Sequence, residues 1–385
     1  MTAAVRSFTF HPGPRLIAGP ESAVEIAAHL PPGPCLFVTD QGVSALGLAR
    51  SCLAALRDSG REVVIFDQVE ADPSKATLLD AVALGRSSAV ACVVGFGGGS
   101  PMDVAKSAAY LIGSGDALDL IWGVGNAKGE RLALALVPTT AGTGSEATPV
   151  AVITCEGGEK RGVNSLALIA DWAALDPDLT LGMPRALTAA TGIDAMVHAV
   201  EAYTSARLKN PLSDLHAREA LRLLSNNLIR ACEHPEDRDA RSAMLLGAHL
   251  AGLAFANAPV AGVHALAYPL GGLHHLPHGL SNALMLRHVL AHNMEAAREQ
   301  YAELAEIVVP KCAGQGSQAR AAVLIDRLDA LVRESGIAPR LRDHGIPAEQ
   351  LPLLAREAMK QQRLLVNNPC EISEADAQRL YEAAW

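Results

Sequence analysis

The sequence predicts an α/β domain followed by an all-α domain, and three observations carry that expectation. Up to about residue 180, short β-rich runs alternate with runs of helical period, the pattern of a parallel sheet covered by helices. Beyond residue 182, long helical segments follow one another with no convincing strand. At roughly 150 residues per domain, a chain of 385 residues has room for two cores. The expected division is a nucleotide-binding type of domain over 1–181 and a helical domain over 182–385, with a packed junction near Leu181 to Pro184 and a ligand cleft beside it.

In the first domain, Cys35 to Thr39, Glu62 to Asp67, Val90 to Val94, Leu132 to Pro138 and Val150 to Thr154 read as strands. Ser44 to Asp58 and Ser74 to Arg86 read as helices, and another opens just after the glycines at 97–99. In the second domain the helical period runs over 184–205, 211–232, 237–256, 262–270, 279–294, 297–309, 317–335 and 374–384. Ser373 with Asp376 forms an N-cap box for the last of these.

Two loops of the first domain suit a dinucleotide. Val93 to Lys106 reads VVGFGGGSPMDVAK, an apolar strand, a glycine turn and a helix start whose free amides attract an anion such as a pyrophosphate. Ser100 stands where the third glycine of G-x-G-x-x-G would be, so this loop alone is equally a tight strand-to-helix turn. VPTTAGTGSEATP at 137–149 adds the hydroxyls of Thr139, Thr140, Thr143, Ser145 and Thr148 after a second buried strand. Asp40, ending the strand at 35–39, suits a ribose hydroxyl and repels a 2′-phosphate, which favours NAD over NADP. Asp103 and Lys160 are further candidates for holding the cofactor.

Of the 13 histidines, eleven lie in the second half of the chain. In GIDAMVHAVEAYTS at 192–205, Asp194 and His198 are four apart on a predicted helix, so both project from one face and suit one ion. VHALAYPLGGLHHLPHGLSN at 263–282 supplies His264 and His278, while His274 and His275 compete for the third or fourth place, and spacing alone does not separate them. His216, His234, His249 and His344 read as structural.

Together these stretches resemble the iron-containing (group III) alcohol dehydrogenase family, whose fold is dehydroquinate synthase-like. The likeness rests on GGGSPMDVAK at 97–106, PTTAGTGSE at 138–146, ALDPDLT at 174–180, TAATGIDAMVHAVEAYTS at 188–205 and HALAYPLGGLHHLPHGLSNA at 264–283. It implies a Rossmann-like first domain, a helical metal-binding second domain, and metal-dependent, NAD(P)-linked alcohol oxidation or carbonyl reduction. Metal ligands then fall on Asp194, His198, His264 and His278, and Fe²⁺ is the implied ion, with Zn²⁺ suited to the same donors. Cofactor contacts fall on Asp40, Gly98, Gly99, Ser100, Asp103, Thr139, Thr140, Ser145, Lys160 and Leu179.

One position departs from the family pattern. Where many members have a second histidine four residues after the third ligand, this chain has Tyr268, and a phenol of pKa about 10 is a poorer proton shuttle near neutrality than imidazole. Tyr268 and His274 are therefore the catalytic candidates, and the proton route is where this chain is expected to differ.

The substrate class implied is a small alcohol, aldehyde or ketone, and Phe255, Leu266 and Leu273 suggest an aliphatic pocket. Maleylacetate reduction and hydroxyacid–oxoacid transhydrogenation are alternatives on the same scaffold. A dehydroquinate synthase-like lyase, cycling NAD⁺ without net NADH, is a second one, and a ligand sensor with no metal a third. A net charge of −9 without Lys/Arg runs argues against nucleic acid or an anionic membrane. The apolar runs are far shorter than the ~20 residues a bilayer needs. With no signal-peptide stretch at the N-terminus and seven scattered cysteines, the expected protein is cytoplasmic with reduced thiols. The resemblance further implies a homodimer.

Overall fold

Six parallel strands build the first unit, in the order β1-β9-β6-β4-β2-β3. They are β1 (Arg15–Ala18), β2 (Cys35–Val38), β3 (Val63–Phe66), β4 (Cys92–Gly97), β6 (Ala133–Pro138) and β9 (Trp172–Leu175). A small second sheet holds β5 (Gly123–Val124), β7 (Val150–Thr154) and β8 (Lys160–Asn164), with β7 and β8 antiparallel. The computed structural model describes residues 7–385. They form two units, Pro12–Leu181 and Gly182–Trp385, the second including residues 7–11.

Parallel strands covered on both faces are apolar along their whole length, which is why β2 reads CLFV and β4 reads CVVGFG, all buried. Alternate side chains feed two cores. Leu36, Val38, Val93, Leu134 and Leu136 pack under α4 (Lys75–Ser87) and α5 (Gly99–Ser114). Cys35, Phe37, Val94, Phe96, Ala135 and Val137 pack on the other side against α1 (Ser22–Glu25) and α3 (Arg50–Asp58). From β2 the chain runs out to β3 on one side and then crosses back over β2 to β4 on the other. The order therefore reverses at β2/β4, and a crevice opens outside the carboxyl ends of those two strands.

Gly95 shows what one of the glycines does. A Cβ there would lie 2.6 Å from Ala105 Cβ and 2.7 Å from Leu136 Cδ2, so its bareness lets α5 sit flush on β4.

The helical unit comprises α6 (Arg185–Thr204), α7 (Pro211–Glu233), α8 (Arg238–Asn257), α9 (Gly262–His274), α10 (His278–His292), α11 (Arg298–Val308), α12 (Ser317–Glu334), α13 (Leu351–Ala358), α14 (Gln362–Leu365) and α15 (Glu374–Ala384). Its centre is α6, buried along most of its length and packed by α7, α8 and α10. At Gly192 a Cβ would meet Leu228 Cδ1 and Met244 Cε at 2.6 Å, so this helix carries no side chain where α7 and α8 close on it. Caps mark the helix starts that the sequence suggested. Asn210 and Ser373 both make capping boxes, the latter with Asp376.

Several expectations change. The helix at 44–58 is two, α2 (Gln41–Leu46) and α3, because Gly47 takes a left-handed conformation (φ 69°) and ends the first. Strands β1, β5, β8 and β9 are not among the expected ones, because β1 is an exposed edge, β5 is two residues long, β8 reads KRGVN with little apolar character and β9 contains two alanines. The short α1, α13 and α14 are likewise not among the expected helices. Residues 7–11 belong with the helical unit, not with the first domain where the sequence placed them, because the His11 backbone exchanges hydrogen bonds with the Asn257 side chain (2.6 and 3.0 Å). Among the described residues no single helix is long and apolar enough to cross a membrane.

Gly95→Ala is expected to destabilise the protein by about 1–3 kcal/mol through overpacking. Denaturant unfolding of the variant against the parent measures this, and an unchanged midpoint contradicts the packing role.

Candidate metal centre and cofactor loops

Four side chains converge inside the helical unit. Asp194 and His198 come from adjacent turns of α6, His264 from the first turn of α9, and His278 is the first residue of α10. One donor atom of each lies within 4.8 Å of the others. The Nε2 atoms of His198, His264 and His278 are 3.9, 3.8 and 3.6 Å from Asp194 Oδ1. Donors at about 2.0–2.2 Å from one tetrahedral ion stand roughly 3.3–3.6 Å apart, so the cluster has the scale of a single site. Asp194, His198 and His264 are buried, while the His278 side chain is 38% exposed and marks the open edge. Burial opposes the charge on Asp194, yet the facing His198, His278 and His264 and the Asn282 amide outweigh it and hold the carboxyl below its ordinary range.

His264 provides the test of whether these residues fit an ion. Its Nδ1 lies 2.6 Å from Glu201 Oε2. Glu201, 3% exposed, also accepts the backbone N–H of Ala261 (2.9 Å) and of Val263 (2.6 Å). A carboxylate only accepts, so the His264 proton sits on Nδ1 and the Nε2 lone pair faces Asp194. That Nε2 is buried and has no hydrogen-bond partner among the described residues. A buried lone pair among a carboxylate and two imidazoles calls for a cation, and this donor set suits Fe²⁺ or Zn²⁺.

Contacts around the donors fix their positions. A Cβ on Gly279 would be 2.3 Å from Ala190 O, so only glycine lets the start of α10 lie on α6 and bring His278 to Asp194. Asn282, one turn on, donates to Asp194 Oδ1 at 2.6 Å and has its amide nitrogen 3.2 Å from His278 Nε2. The Phe255 ring packs on His198 with centroids 4.4 Å apart. Glu201 and Asn282 were not singled out from the sequence. The signal was there, since Glu201 is seven after Asp194 and Asn282 four after His278, both on the ligand face of their helices.

The remaining candidates divide. Tyr268 faces the centre, its ring 5.8 Å from that of His278. His274 is the last residue of α9, outside the four-donor cluster, and its Nε2 is buried without a partner among the described residues. His275 caps the helix in a left-handed conformation. Leu266 is fully buried in the core and Leu273 is 43% exposed, so the three suggested apolar residues do not form one pocket wall.

In the first unit, the carboxyl ends of β4 and β6 carry the two loops side by side. Thr139 N–H donates to Gly97 O at 2.9 Å, and Thr140 Oγ1 lies 3.7 Å from where a Gly98 Cβ would be. Gly98 caps α5, and Gly99 and Ser100 form its first turn, with amides free for an anion. Asp40, across the crevice at the end of β2, caps α2 with Oδ1 (Val43 N–H, 2.8 Å) and turns Oδ2 toward Gly97. Leu179 lies buried in the turn Pro177–Thr180.

Asp103 and Ser145 are occupied internally. Asp103 accepts from Ser145 Oγ (2.6 Å) and from Val152 N–H (2.9 Å). The fully buried Lys106 donates to Ser145 Oγ and its carbonyl, tying the second loop to α5, and burial pushes its ammonium below the ordinary range. Lys160, on β8, pairs with Asp72 at 2.6 Å.

A doubly wound sheet followed by a helical unit with an Asp/His₃ cluster has the architecture of an oxidoreductase, and sequence comparison gives the family. Residues 13–177 match the family model "Iron-containing alcohol dehydrogenase", and residues 188–385 match "Fe-containing alcohol dehydrogenase family, C-terminal". The chain belongs to the iron-containing alcohol dehydrogenase family. It is 39% identical over 353 residues to long-chain-alcohol dehydrogenase 1 of Geobacillus thermodenitrificans, covering 91% of this chain and 89% of that one. It is 36% identical to 1,3-propanediol dehydrogenase of Klebsiella pneumoniae, covering 91% of each. A crystal structure of 1,3-propanediol oxidoreductase superimposes with a TM-score of 0.95 at 34% identity, over 99% of this chain and all of that one.

Glu201→Gln is expected to weaken metal binding about 10–100-fold, because a neutral amide no longer polarises the His264 ring. Competitive dialysis with elemental analysis measures this, with circular dichroism to check the fold. Undiminished affinity in a folded variant removes Glu201 from the centre.

Proposed function

We propose that this chain is an NAD-linked alcohol dehydrogenase and aldehyde or ketone reductase, with Asp194, His198, His264 and His278 as the ligands of a divalent ion, Fe²⁺ in the first instance. The observation that carries the reading is the buried, partnerless Nε2 of His264 inside an Asp/His₃ cluster, in a chain of this family. When bound, such an ion supplies Lewis-acid polarisation of the substrate oxygen.

The chain's own residues do the rest. Glu201 and Asn282 hold His264 and Asp194 in place. Gly98, Gly99 and Ser100 offer backbone amides to the pyrophosphate, and Thr139 and Thr140 line the same crevice. Asp40 Oδ2, at the end of β2, accepts from a ribose hydroxyl and disfavours a 2′-phosphate. Asp103, Ser145, Lys106 and Leu179 shape the loops from inside. Lys160, paired with Asp72, acts at the rim of the small sheet.

Protonation of the product oxygen, or removal of the alcohol proton, is assigned to Tyr268 Oη, with His274 Nε2 as a relay. A cytoplasmic homodimer is part of the same proposal.

Anaerobic loading with Fe²⁺ is expected to give aldehyde-dependent NADH oxidation, lost on chelation and restored by the ion. Turnover without net change in NADH absorbance favours the lyase alternative and overturns this one. Asp40→Ser is expected to shift the ratio of kcat/KM toward NADPH. An unchanged ratio separates Asp40 from cofactor choice.

A further inference from the structure

An exposed cation lies against Tyr268, outside the Asp/His₃ cluster. Arg363, on α14, places its guanidinium over the ring of Tyr268, 5.8 Å from the centroid, and that ring in turn is 5.8 Å from His278. Among the described residues the guanidinium has neither an ion-pair nor a hydrogen-bond partner.

Arg363 does not ride on a loose segment. Asn367 donates to the Arg363 carbonyl and to Val260 O, both at 3.0 Å, and its own carbonyl accepts Ala206 N–H at 2.7 Å. Asn368 Oδ1 accepts Gly262 N–H at 3.3 Å. The stretch that carries Arg363 is thus bolted to the turn leading into the helix of His264. An aromatic face holds the planar fork in one orientation while leaving its N–H edges free. Those edges match a carboxylate or sulfonate, which they bind through two parallel hydrogen bonds.

We propose that Arg363 is a specificity-determining residue, and that the preferred substrate is a short-chain aldehyde, or the corresponding alcohol, bearing an anionic group at the far end from the reacting carbon. The carbonyl end lies at the Asp/His₃ centre, a short carbon chain passes along Tyr268, and the anion meets Arg363. The reaction balances as the ordinary one does: NADH gives a hydride to the carbonyl carbon, a proton goes to its oxygen, and the anionic end is unchanged. The inference rests on the alcohol dehydrogenase reading and adds the substrate class to it.

The test compares two four-carbon aldehydes, butanal and succinic semialdehyde, with the Fe²⁺-loaded protein and NADH. The carboxylated aldehyde is expected to show a kcat/KM at least tenfold higher, mainly through KM. R363Q is expected to collapse that ratio at least tenfold, and R363K to restore part of it. Calorimetric binding of succinate, which has no carbonyl to reduce, provides a readout independent of turnover, and the parent is expected to bind it at least tenfold more tightly than R363Q. Butanal reduction with no preference for the carboxylate, or succinate binding indifferent to Arg363, overturns the proposal and leaves the dehydrogenase reading standing. If neither aldehyde is reduced by the metal-loaded protein, that reading fails, and the succinate measurement still decides whether Arg363 holds an anion.

Discussion

The carboxylate of Glu201 is the contact on which the centre depends. Buried at 3% exposure, it is satisfied by two backbone amides of the turn at 261–263 and by the imidazole of His264. Those three donors set the direction in which α9 leaves α8, the tautomer of His264, and which of its ring nitrogens faces Asp194. An unpaired buried carboxylate is costly enough that a fold built around one keeps all its donors in place. Asn282 does the corresponding work for Asp194, and Gly279 lets α10 approach closely enough for the two to meet.

The first unit solves a different problem by different means. Its strands are bare apolar runs, and their specificity lies in where the glycines fall. Gly95 serves helix packing, whereas Gly98 and Gly99 leave backbone amides at the mouth of the switch point. The hydroxyl-rich loop after β6 is likewise split in purpose. Thr139 and Thr140 face the Gly97–Gly98 turn, while Ser145 is bound inward by Asp103 and Lys106. Residues that look alike in the sequence as polar loop atoms therefore divide into those beside the Gly97–Gly98 turn and those bonded inward, and only their contacts distinguish them.

Much of the architecture was legible beforehand, and the failures have identifiable causes. Strands such as β2, β4 and β6 declared themselves by continuous apolar runs, and helices α6 to α12 by their period. β1 and β9 did not, because an edge strand needs little apolar character and two alanines carry little strand propensity. The break between α2 and α3 turned on one left-handed glycine, whose sign of φ is set by packing. Residues 7–11 join the helical unit through Asn257, 246 residues from His11, and through Phe10 stacked on His216, pairings that no local pattern encodes.

What the sequence by itself determined was the composition of the chemistry. It supplied a carboxylate and histidines at helical spacing, glycines at a strand end, hydroxyls at the next, and a tyrosine one helical turn after His264. Such features are local, and their periodicity reads directly as a shared face of a helix or an end of a strand. The tertiary structure decided which of five nearby histidines converge, because convergence depends on the angle between α9 and α10 and on the close approach at Gly279. It also decided which polar groups are consumed inside the protein, since burial and partner geometry exist only once distant segments have packed.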